Sequence, residues 1–123
     1  MNAELGRKVL DYVTAHRDQF DMNVFGEHVP ACGTTACLAG WALLLSGYQI
    51  TGFDLFARPD GTEVSGETLS REAGWLLGIP AEEFDADGEC PLFYVEDDDE
   101  AIERFRALVE AAEQLGREAG ADL

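Results

Sequence analysis

Cys32-Gly33-Thr34-Thr35-Ala36-Cys37-Leu38-Ala39-Gly40-Trp41-Ala42-Leu43-Leu44-Leu45-Ser46-Gly47-Tyr48 is the stretch on which the reading of the chain turns. Threonine hydroxyls accept amide protons at a helix start, so Thr34 or Thr35 is the expected N-cap. The helix is predicted to run from Thr35 to Ser46 and to stop at Gly47. Leu38, Ala39, Trp41, Ala42, Leu43 and Leu45 clothe almost every side of it. A helix that is apolar all round belongs in the interior, so this one is expected at the centre of the fold.

Upstream, Leu5, Val9, Tyr12, Val13, His16 and Phe20 recur at helical spacing and predict an amphipathic helix from Ala3 to about Gln19. Phe20, Met22, Val24 and Phe25 then form an apolar loop ending near Pro30, expected to fold over the core. Downstream, Arg58-Pro59-Asp60-Gly61 is a turn sequence that suits a hairpin between Leu55–Ala57 and Thr62–Val64. Thr68 or Ser70 is the expected cap of a third helix through Trp75 and Leu77, closed by Gly78-Ile79-Pro80. Residues 81–95 read as a short helical turn and a loop. Ala101, Ile102, Phe105, Leu108, Val109, Ala112 and Leu115 predict a last amphipathic helix from about Asp98, whose acidic first turn complements the helix dipole. The fold class expected is mainly α: one compact domain over residues 1–123, about four helices around a buried central helix, with a small β-hairpin.

The chain has 123 residues, 46% of them hydrophobic, which argues for a globular core. Its 25 acidic and 8 basic residues give a net charge of −17, so direct binding to nucleic acid or an anionic membrane is disfavoured and a basic partner favoured. Glu4, Arg7, Lys8 and Asp11 interrupt the run a secretory signal would need, and Trp41–Leu45 is too short to span a bilayer. A cytoplasmic location is expected, and with it reduced thiols rather than a Cys32–Cys37 disulfide.

Four residues are of zinc-ligand type: His28, Cys32, Cys37 and Cys90, with three residues between the first two and four between the next. Buried free cysteines are the competing reading, so zinc is the alternative to the expectation of no cofactor. Cys32 or Cys37 at a helix N-terminus would have its thiolate stabilised by the dipole, as a nucleophile needs. The Cys-Gly start before a buried helix resembles papain-like and bacteriocin-processing cysteine peptidases, but those use a downstream histidine and none follows His28 here. Glu83–Glu89 echoes half a calcium loop, without the closing bidentate glutamate. Eleven acidic residues and no basic one lie between Glu82 and Glu103. Within that stretch Phe93, Tyr94, Glu96, Asp97, Asp98, Asp99 and Glu100 are the candidate partner-binding residues, an apolar strip rimmed by carboxylates. Its competing reading is a core plug beside a solvated helix start. Gly40-Trp41 and Gly74-Trp75 each place glycine in a helix, at about 1 kcal/mol against alanine, which predicts close packing beside two core indoles.

The run Cys32-Gly33-Thr34-Thr35-Ala36-Cys37-Leu38-Ala39-Gly40-Trp41-Ala42, with Phe20-Asp21-Met22 before it, resembles a motif of a family of small bacterial and phage proteins without an assigned activity. Trp75-Leu76-Leu77-Gly78-Ile79 and Leu92-Phe93 are similar to its later landmarks. The resemblance implies a shared fold and a phage or mobile-element origin, and it supplies no mechanism. Together these readings predict a small acidic, non-enzymatic accessory protein that binds or inhibits a basic host protein. The alternatives are a cysteine-dependent enzyme using Cys32 or Cys37, and a zinc-stapled structural domain.

Overall fold

The computed structural model describes residues 2–29, 33–79, 83 and 90–121. Over these the protein is mainly helical, with two small antiparallel sheets. Helix α1 spans Ala3–Ala15, and its start is fixed by Asn2, whose side chain accepts the Leu5 amide proton at 3.1 Å. Leu5, Val9, Leu10 and Val13 form its buried face. The expected continuation to Gln19 breaks at His16, and Arg17–Gln19 is a separate 3₁₀ turn.

The larger departure from expectation lies just before the buried helix. Thr34 and Thr35 do not cap a helix; they lie in strand β2, Gly33–Thr35, paired antiparallel with β1, Glu27–Val29. Branching at Cβ makes threonine as good in a strand as at a cap, and the partner strand decides between the two. Helix α2 therefore begins three residues later, at Leu38–Leu45, with an extended Cys37 as its N-cap. Leu38, Ala39, Gly40, Trp41, Ala42 and Leu43 are all buried, and α2 packs against α1 and α3. Gly47, at φ 98°, ends it in the left-handed conformation.

A three-stranded sheet follows where a two-stranded hairpin is expected: β3 Gln49–Gly52, β4 Leu55–Ala57 and β5 Glu63–Ser65. Its inner residue Phe56 is fully buried opposite Val64. Helix α3 is Glu67–Leu77, capped by Gly66 rather than Thr68 or Ser70 and stopped by the left-handed Gly78. The guanidinium of Arg58 grips the buried Glu72 of α3 through two bonds, Nε to Oε1 at 2.8 Å and Nη2 to Oε2 at 2.6 Å, while Tyr48 donates its hydroxyl to Oε1. That cluster ties the sheet to α3. Helix α4, Asp98–Ala121, lies along α1, with Ala101, Ile102, Phe105 and Val109 inward and an Arg7–Glu113 pair across the seam.

Trp41 and Trp75 part company. Trp41 is 5% exposed, packed on Tyr12 with ring centroids 4.3 Å apart and the ring planes tilted by 38°, and donates Nε1–H to the Gln19 carbonyl at 2.9 Å. Trp75 is 71% exposed. It stands two residues from each of the buried Ala73 and Leu77, about 200° round the helix, and so faces outward. No helix among the described residues is long and apolar enough to cross a membrane.

Candidate functional site

The segment from Arg17 to Gly26 is laid across the N-terminus of α2 and fastened on both sides. The Ala36 amide donates to the Gln19 carbonyl, the Asp21 amide to the Ala36 carbonyl, and the Cys37 amide to the Val24 carbonyl at 2.9 Å. A Cβ on Gly40 would overlap the Phe25 carbonyl oxygen, so glycine is required there by this loop rather than by a neighbouring helix. From the other side, Asp98 Oδ1 accepts the Met22 amide proton at 2.9 Å and Asp99 pairs with Arg17 at 2.6 Å.

Asp54 closes the arrangement. It sits in the turn between β3 and β4 at φ 52°, a left-handed conformation that Asp tolerates better than most residues. Its Oδ1 accepts the amide protons of Phe25 at 2.8 Å and Gly26 at 3.1 Å, while its own amide donates to the Gly26 carbonyl. The Pro91–Tyr94 3₁₀ turn brings in Phe93 and Tyr94, and the Tyr94 ring meets Phe25 edge to face at 6.4 Å. Between these pieces lies a cleft of about 240 Å³ lined by Met22, Asn23, Phe25, Cys37, Asp54, Phe93, Tyr94 and Glu96. Among the described residues, two carboxylates and no cation line it.

The candidate residues read from the sequence take different places. Phe93 is 2% exposed and plugs the core while reaching the cleft wall; Tyr94 is 44% exposed. The five consecutive acids do not form one free surface. Asp97 Oδ1 accepts the Glu100 amide proton and caps α4, Asp98 and Asp99 hold the loop, and Glu100 pairs with Arg104. Glu96 is exposed and has no ion pair among the described residues. Asp54, Asn23, Met22 and Phe25 were not picked out by sequence reasoning as site residues. For Asp54 the available signal was an Asp in a Gly-Phe-Asp-Leu turn between β-compatible pieces.

Of the zinc-type set, His28 is exposed with Nδ1 3.0 Å from the Thr34 hydroxyl, Cys37 and Cys90 are buried, and Cys32 lies outside the described residues. Among the described residues no group of three His, Cys, Asp or Glu side chains is placed to hold a metal ion. Of the calcium-like segment only Glu83 is described. Burial pushes the Cys37 thiol up to about 11 despite the amides of Gly40 and Ala39, which favour its thiolate. Desolvation outweighs the helix terminus, and Cys37 is a protonated thiol at neutral pH. No protein-family model, curated protein or solved structure matches the chain.

Proposed function

We propose that this chain is a small acidic, non-enzymatic accessory protein that binds, and by binding inhibits, a basic host protein. An origin in a phage or another mobile element belongs to the same proposal. The observation that carries it is the cleft rimmed by Asp54 and Glu96 beside the exposed ring of Tyr94, in a chain of net charge −17. Charge on that scale speeds the approach of a cationic partner, and an apolar centre inside a carboxylate rim gives it a register. The docking face is narrower than the whole acidic run, because Asp97, Asp98 and Asp99 are engaged within the fold. A cysteine-dependent enzyme built on Cys37 has less support, since a thiol pushed up to about 11 is a poor nucleophile at neutral pH.

The test is differential capture. Immobilised wild type is expected to retain a basic protein from a lysate, and Tyr94→Ala and Glu96→Lys are each expected to lose it, Glu96→Lys with its melting temperature unchanged and Tyr94→Ala with a lowered one, since its ring packs on Phe25 and its hydroxyl bonds Ser70. Retention of the same proteins by all three would remove this face from consideration.

A further inference from the structure

We propose that the cleft receives one arginine side chain of the basic partner, its guanidinium laid against the aromatic wall and neutralised by Asp54 and Glu96. This inference rests on the docking reading above and names the group that the face would recognise.

Size comes first. At about 240 Å³ the cleft is smaller than small-molecule pockets, which run from about 300 to 1,000 Å³. It suits a single inserted side chain better than a cofactor. The lining then sets the charge: Met22, Phe25, Phe93 and Tyr94 offer thioether and aromatic surface, and the ionisable groups among the rest are acids and the Cys37 thiol. Aromatic faces attract cations, and a carboxylate adds a charge-assisted acceptor. Guanidinium is favoured over ammonium because it is planar, more weakly hydrated, stacks on rings and forks to carboxylate oxygens.

The walls are also set in advance. Two backbone amides fix Oδ1 of Asp54, the Met22 amide is held by Asp98, the Val24 carbonyl by Cys37, and Phe25 is braced by Tyr94. Little ordering is left to be done on binding, which is where a small contact gains its affinity.

The probe is the capped pentapeptide acetyl-Gly-Gly-Arg-Gly-Gly-amide, titrated into the full ¹⁵N-labelled chain alongside the citrulline peptide, which is nearly the same shape without the charge. Amide shifts are expected at Asn23, Phe25, Asp54, Tyr94 and Glu96, with the citrulline peptide weaker by about tenfold. Glu96→Gln and Asp54→Asn are each expected to weaken binding severalfold. The Asn side chain keeps an oxygen for the two amides and tolerates the left-handed backbone, so Asp54→Asn retains the fold. Equal binding of the two peptides, shifts spread along α4 instead of the cleft, or no shift at all would overturn the inference. A basic partner captured by wild type and lost with Tyr94→Ala, with cleft amides unmoved by the arginine peptide, would keep the docking reading and overturn this one. Arginine-specific shifts without any captured partner would support the cleft's ligand and remove the protein proposed to present it.

Discussion

Gly40 shows how one absent side chain can decide a local structure. Helix propensity favours alanine over glycine by about 1 kcal/mol, yet a Cβ at this position would overlap the Phe25 carbonyl oxygen. Backbone cannot yield as a flexible side chain does, so Gly40→Ala is expected to destabilise by about 3 kcal/mol, read from the urea midpoint. An unchanged or raised midpoint would mean that the loop over α2 is not seated as described. Cys37 gives a second residue-scale prediction. With its thiol pushed up to about 11, native protein should be alkylated there by iodoacetamide far more slowly at pH 7.5 than a free cysteine is, and denaturant should remove the protection. Fast native labelling of Cys37, located by peptide mass analysis, would contradict the burial of its sulfur.

Between elements, the Arg58–Glu72–Tyr48 cluster joins sheet to helix and makes stability depend on pH. Hydrogen bonds from Arg58 hold the Glu72 carboxyl below its ordinary value near 4.5, against the opposing effect of burial. The folded state therefore binds fewer protons than the unfolded state, and the contribution is full above about pH 4.5 and fades as pH falls through the lowered folded value. Glu72→Gln is expected to lower Tm by several degrees at pH 7, with the gap to wild type closing in acid; a gap that stays constant with pH would exclude the linkage. At the start of α4, Asp97→Ala should cost about 1 kcal/mol as a lost N-cap, so reversing the acids at 97–99 together would test folding as much as binding. The faces of α1 and, as far as Val109, of α4 were legible in the sequence, because a repeat of three and four over many residues has one solution; Leu115, expected on the same face, is 66% exposed. β2 was not: Thr34 and Thr35 fit a cap and a strand equally, and only pairing with Glu27–Val29 chooses. The cleft was half legible. Phe93, Tyr94 and Glu96 follow from their position in an acidic run, whereas Asp54 and Asn23 join them only through tertiary contacts that no local pattern encodes. Trp75 misleads for a related reason, since its glycine neighbour signals close packing and its angle on α3 points outward.

At the scale of the whole molecule, net charge −17 opposes compactness. Among the described residues most ion pairs are surface contacts such as Arg17–Asp99 and Arg104–Glu100, individually weak, so screening is expected to remove more repulsion than attraction. Raising ionic strength from about 0.01 to 0.15 M, which shortens the Debye length from about 30 to 8 Å, should raise Tm. A flat or falling Tm would show that the pairs outweigh the net charge. The contrast between the two indoles has a practical consequence of another kind. Trp41 is shut in beneath the Gln19 carbonyl while Trp75 stands in solvent, so the protein carries two spectroscopic labels of opposite character. Trp75→Phe would leave one emitter, blue-shifted and hidden from iodide, whose colour reports whether the loop over α2 is closed. Wild-type emission, dominated in its quenching by Trp75, would report instead on whatever approaches the outer face of α3.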